Sequence, residues 1–212
     1  MTRQDEAVAN PMRLILVRHG ETVCNVEEVW HGWDDCSLTT TGRVQAEAVA
    51  ERLSREPLAA VYSSDIRRAL ETASAIARRH GTEPVPMSDL RERNAGEYEG
   101  LKTAEIVANN PRIWEERNAD FWNWSPPGGE TFHQVLARAL RAIGDIQKRH
   151  AGETVVAVSH MATVRALISH LAGIPVLETF KLDFPSTGVS RFVMHGQTTE
   201  VESLNDGSHL PG

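Results

Sequence analysis

Cysteine is nearly absent: Cys24 and Cys36 are the only two in 212 residues. They form no CxxC pair, and two thiols in a chain of this size do not make a disulfide framework. A reducing, cytoplasmic setting is therefore expected. Long apolar runs are missing too. Each one is far too short to span a bilayer, so no membrane partner is expected. The opening residues, MTRQDEAVANP, lack the apolar core of a secretory leader. There is no basic excess either: 22 Lys and Arg stand against 29 Asp and Glu, a formal net charge of −7. An acidic chain with interspersed charges repels a polyphosphate backbone at long range, so nucleic acid is not an expected partner. A few local arginines can still hold a small anion. Nine histidines invite a metal hydrolase, but neither HExxH nor clustered Cys/His spacing occurs, and no metal or other cofactor is expected. Internal repeats and low-complexity segments are absent.

What is present is the material of one ordinary domain. The length suits a single core, and 41% of residues are hydrophobic. The ordered domain is expected over 12–212, with residues 1–11 a loose extension. The apolar runs 13–17 (RLILV), 59–62 and 154–158 read as strands, with a further short one at 84–87 and a hairpin over 189–203 around His195 and Gly196. Helical spacing appears between them. One helix runs to Leu53, capped by Thr40 or Thr41, with Val44, Ala48, Val49 and Leu53 inward. A second spans 65–80, capped from the Ser63, Ser64, Asp65 cluster. A third covers 130–149, and a fourth follows His160 to Leu171. Between 102 and 128 lie short helical pieces with Trp114, Trp122 and Trp124. Strands alternating with helices imply an α/β fold: a three-layer sandwich whose mainly parallel central sheet is flanked by helices.

In such sheets ligands bind where strands end. Three of the expected strands stop at polar groups: Arg18-His19, Ser63-Ser64-Asp65 and Ser159-His160. If those strands are neighbours, their ends form one site. His19 has a rigid scaffold behind it and Gly20 after it, which would let a ligand approach the backbone. A neutral imidazole there is a competent nucleophile.

The run LVRHGETVCN, residues 16–25, resembles the signature of the histidine phosphatase superfamily, the phosphoglycerate mutase-like family. Three further segments are similar to that family's pattern in the same order: SSDIRRALETA (63–73), LRERNAGEYEGL (90–101) and TVVAVSHMATVRAL (154–167). PPGGETF (126–132) resembles the family's lead into its long helix. The resemblance covers about 13–203. It implies His19 as the nucleophile that takes the phosphoryl group, and Arg18 and Arg68 as phosphate clamps, with Arg67 the rival for the second position. Asn25 and the backbone N–H of Met161 would be neutral donors. Glu92 falls at the proton donor, with Glu97 and Glu99 as rivals, and His160, as an imidazolium, would stabilise transition-state charge. The family usually has glycines after the second histidine, where this chain has Met161 and Ala162.

The activity implied is hydrolysis of phosphomonoesters through a phosphohistidine, without a metal because cationic side chains take its task. The expected partner is a small phosphorylated metabolite. A bisphosphoglycerate-dependent phosphoglycerate mutase is the alternative, and a phospho-ligand-binding protein without catalysis the third reading. A Cys-dependent phosphatase would need a CxxxxxR loop, which neither cysteine provides. The other histidines, His31 among them, are expected to be surface or packing residues. The five tryptophans would either line a specificity pocket or pack loops onto the core. Oligomeric state stays open, a homodimer included.

Overall fold

The computed structural model describes residues 10–210. The first nine residues of the expected extension lie outside them. Among the described residues no helix is long and apolar enough to cross a membrane.

One six-stranded sheet forms the middle layer. Its strands are β1 (Met12–Arg18), β2 (Leu58–Ser63), β3 (Val85–Pro86), β4 (Thr154–Ser159), β5 (Val189–His195) and β6 (Thr198–Asp206), in the spatial order β3-β2-β4-β1-β5-β6. The first four are mutually parallel, while β5 and β6 close one side antiparallel. β4 lies between β1 and β2, and all six of its residues are buried, as an interior parallel strand covered on both faces requires. Side chains alternate across the sheet. Leu14, Leu16, Val155 and Ala157 pack toward α6 (Phe132–Arg149) and α7 (Met161–Leu171). Ile15, Val17, Val156 and Val158 pack toward α2 (Thr40–Leu53) and α3 (Arg67–Arg79). Between β3 and α6 the chain leaves the sandwich as two seven-residue helices, α4 (Thr103–Asn109) and α5 (Ile113–Ala119). The remaining α-helix among the described residues, α1 (Val23–Val26), is a single turn.

Several local expectations shift. Thr39, not Thr40 or Thr41, caps α2: its Oγ1 accepts from the N–H of Gly42 at 2.9 Å. Val44 is 56% exposed, because the buried stripe runs through Gly42, Ala46, Val49, Ala50 and Leu53. α3 has no side-chain cap. Asp65 instead accepts two bonds from Arg91, at 2.7 and 2.6 Å, tying the end of β2 to the segment that carries Glu92. The cysteines also differ from expectation, since Cys24 and Cys36 are bridged by a disulfide with Cα atoms 6.2 Å apart. Residues 20–38 double back, with Thr22 bridged to Leu38 and the N–H of Val23 donating to Ser37, which brings the thiols together. The bridge removes the cysteine-based argument for a reducing compartment.

Candidate active site

The sheet order brings the three polar strand ends side by side. Arg18 is in register with Ser159, and Ser63 with Val158. His19 follows β1 directly and its N–H donates to the carbonyl of Ser159 at 2.9 Å. The ring is 2% exposed. Its Nδ1 lies 2.7 Å from the carbonyl oxygen of Gly20. A carbonyl can only accept, so Nδ1 carries the proton and Nε2 keeps the lone pair. Burial pushes the imidazole well below its ordinary pKa, and the Arg68 and Arg18 charges push the same way. Gly20 serves packing rather than ligand approach, since a Cβ there would lie 2.4 Å from the carbonyl oxygen of Gly42 in α2.

Arg68, in the first turn of α3, is fully buried, whereas Arg67 is exposed and pairs with Glu71 at 2.7 Å. The Arg68 guanidinium donates to the carbonyls of Asp34 (3.0 Å) and Gly32 (2.8 Å), and its Nε donates to Nδ1 of His160 at 3.1 Å. Burial lowers its pKa to about 10, with the Glu92 charge acting against the fall. A ring nitrogen that accepts from a guanidinium bears no proton. His160 is therefore a neutral imidazole with its proton on Nε2, not the imidazolium expected from the sequence. Burial first, then Arg68, drives its pKa well below the ordinary value. Its Nε2 is buried without a hydrogen-bond partner among the described residues, as is Nε of Arg18, so both are unsatisfied donors. The His19 and His160 rings meet edge to face, centroids 5.1 Å apart.

Three carboxylates competed for the acid position, and their surroundings separate them. Glu97 is exposed. Glu99 accepts from the backbone N–H groups of Trp33, Ala95 and Asp34, pinning the loop whose carbonyls hold Arg68. Glu92 lines the cavity with Arg18 and His19, and its carboxylate accepts from the N–H groups of Arg93 (2.7 Å) and Ala162 (3.1 Å). Met161 opens α7, where no intrahelical carbonyl can accept from its N–H. Asn25 accepts from the N–H of Thr22 in a capping box, leaving its NH2 as the donor to the cavity it lines. All seven expected site residues therefore lie around the strand ends, five of them directly on this cavity of about 320 Å³, the buried Arg68 and His160 behind it.

A family model described as the histidine phosphatase superfamily (branch 1) matches residues 14–207. The chain belongs to this superfamily. Among its relatives are the phosphoglycerate mutase-like protein 4 of Arabidopsis thaliana, 34% identical over 99% of this chain and 91% of that one, and the metal-independent phosphoserine phosphatase of the same plant, 36% identical over 93% and 82%. A mycobacterial glucosyl-3-phosphoglycerate phosphatase, solved with VO3, shares the fold with a TM-score of 0.84 at 30% identity, covering 92% of this chain and 99% of that one. The phosphatases among these relatives place the chain with the phosphoric monoester hydrolases.

Sequence reasoning missed four residues of the site. His31, expected to be a surface or packing residue, lines the cavity, its Nδ1 against the carbonyl of Val29 at 2.9 Å. Arg93 and Arg117 line it as well. Arg138 lies beneath it. From α6 this buried guanidinium pairs with Glu130 (2.9 Å) and donates to the carbonyls of Asp89, Arg91 and Glu92, at 3.1, 2.6 and 2.8 Å. The segment carrying Glu92 is thereby fastened to the core. Arg138 left a readable signal: it interrupts the apolar stripe of α6 between Val135 and Ala139.

Proposed function

We propose that the protein hydrolyses small phosphorylated metabolites through a phosphohistidine at His19. The observation that supports this most is the tautomer: the Gly20 carbonyl ties up the Nδ1 proton, so the lone pair is on Nε2, and burial, with cationic neighbours, keeps the ring neutral. Phosphoryl transfer is chiefly positioning and charge stabilisation. Arg18 and Arg68 supply the charge, and Nε2–H of His160, the Asn25 amide and the Met161 N–H supply neutral donors. Nε2 of His19 bonds to phosphorus as the ester P–O bond breaks, and Glu92 gives its proton to the departing oxygen. Water then attacks the phosphorus, returns a proton to Glu92 and frees His19.

His19→Ala should lower kcat toward p-nitrophenyl phosphate roughly 10,000-fold while the far-UV circular dichroism stays the same. Rapid quenching of the parent enzyme into alkali, where an N–P bond survives, should show phosphate on His19 by mass spectrometry. A variant with near-parental turnover, or quenched enzyme without label, overturns the mechanism.

A further inference from the structure

The catalytic steps use the ring of His19; its backbone is held from β4, from α3 and from the turn before β5. The N–H of His19 donates to Ser159 in β4 at 2.9 Å, and the N–H of Gly20 donates to Oγ1 of Thr72 in α3 at 3.1 Å. Those anchors belong to a regular strand and a regular helix. The anchor before β5 is of another kind. The carbonyl of His19 accepts from the N–H of Thr187 at 3.3 Å, and the N–H of Arg18 donates to the carbonyl of Gly188 at 3.3 Å. Residues 187–188 thus prolong the pairing of β5 with β1 as far as the nucleophile.

Thr187 holds on in a conformation that threonine disfavours. The N–H of Gly188 donates to the carbonyl of Pro185 at 3.0 Å, which closes a turn, and Thr187 takes its third position with a φ of +59°. Glycine or asparagine usually stands there, because a Cβ crowds the backbone at positive φ. Glu28 and Asn205 also have a positive φ, and neither is β-branched. Such strain persists only where the surroundings over-determine it. Here they do. Thr187 is fully buried, and its hydroxyl donates to the carbonyl of Ser186 at 2.7 Å and meets Nε2 of His209 at 3.0 Å. Nδ1 of His209 lies 3.2 Å from Nη1 of Arg52 in α2. A guanidinium only donates, so Nδ1 bears no proton, Nε2 bears one, and His209 donates to Thr187. Burial, then the Arg52 charge, lowers the His209 pKa and favours that neutral form. Arg52 also pairs with Asp206 and donates to Oγ of Ser208 at 2.8 Å, so residues 206–209 are tied to α2. Glycine at position 187 would relax the turn but offer His209 no hydroxyl.

We propose that Thr187 is a positioning residue for His19 and that His209 keeps it in place: the segment after β6 is a clasp that fixes the His19 carbonyl and, through it, the aim of Nε2 at phosphorus. Neither Thr187 nor His209 lines the cavity, so neither is a catalytic residue. The role rests on the proposed attack by His19.

The test isolates the first chemical step on the full chain. Enzyme mixed with saturating p-nitrophenyl phosphate is quenched into alkali at successive times, and phosphate on His19 is followed by mass spectrometry. His209→Phe keeps an aromatic ring but neither nitrogen. It should slow phosphohistidine formation about 10- to 100-fold, the range for a small misplacement of a reacting group. Affinity for inorganic phosphate, measured by calorimetry, should stay at the parental value, because the guanidiniums of Arg18 and Arg68 keep their own carbonyl partners. His209→Gln, whose amide can donate to Thr187 and accept from Arg52, should recover part of the rate. Thr187→Gly should slow the step, and Thr187→Ser, which keeps the hydroxyl, should slow it less. Parental rates in both His209→Phe and Thr187→Gly overturn the clasp and leave His19 as the nucleophile. Equal losses in His209→Phe and His209→Gln, or a loss that comes with weakened phosphate binding, also overturn it, since His209 then serves only the fold. A parent enzyme that forms no phosphohistidine overturns the mechanism and the clasp with it.

Discussion

His19 and His160 are neutral in the folded protein for the same reasons, full burial and a guanidinium alongside. That has a consequence for acid stability. Both folded pKa values lie below the unfolded one of about 6.5, so between those values the unfolded chain binds more protons than the folded chain. Their contribution is complete above about pH 6.5 and is lost as pH falls from there toward the folded pKa values. Each of the two adds the slope of one proton taken up on unfolding. Urea unfolding between pH 7 and pH 5 should show the loss, and His160→Asn should reduce its slope by about half. A parental slope in that variant would contradict the buried neutral state. The same neutrality keeps the His19 lone pair available at mildly acidic pH, so the acid limb of kcat/KM should lie below the ordinary imidazole range. A limb at pH 6.5 on p-nitrophenyl phosphate would refute it.

At the scale of elements, loops supply most of the cavity wall and buried polar groups hold those loops. Asp65 ties down Arg91, Glu99 pins the loop at 33–34, and Arg138 with Glu130 holds the stretch from Asp89 to Asn94. The Arg138 pair carries the largest consequence. Removing one partner of a buried, hydrogen-bonded pair leaves the other uncompensated, at a cost of about 3–5 kcal/mol. Arg138→Met should lower stability by that amount in urea. It should also reduce kcat on p-nitrophenyl phosphate more than it raises KM, because Glu92 loses its anchor while the phosphate clamps stay put. A variant as stable as the parent would show that the pair is not a fastening. The segment LRERNAGEYEGL was legible as carrying an acid, but its three glutamates were not separable. Their roles depend on which backbone N–H groups fold against them, and those come from residues 33–34 and 162, far away in sequence.

Across the whole molecule, stability is unevenly distributed. β4 is paired on both edges and covered on both faces. α4 and α5 each bury a single residue, Ile106 and Ile113, and in neither does the N-cap side chain bond the helix. Short helices held by so little apolar area open first. Hydrogen exchange followed by mass spectrometry should find the amides of Thr103–Ala119 exchanging at least about 100-fold faster than those of Thr154–Ser159. Equal protection would mean that the Trp- and Phe-rich cluster under α5 locks this flap to the sandwich. The flap also carries Arg117, so its opening exposes one wall of the cavity.

The chain by itself determined the layer order and the chemistry of the strand ends. Both are local properties: short apolar runs mark the strands, helical spacing marks the covering layers, and Arg18-His19 and Ser159-His160 stop their strands abruptly. Arg68 over Arg67 came from the resemblance, whose pattern puts an alanine, here Ala69, directly after the arginine. Only the tertiary structure decided the protonation of His160, the bridge between Cys24 and Cys36, the cap of α2, and the meeting of His209 with Thr187. Each of these depends on a partner brought close by folding: the Arg68 Nε, a loop that doubles back, the Gly42 amide, and the Arg52 guanidinium. A charge's partner and its exclusion from water are set by the whole chain, not by neighbours in sequence.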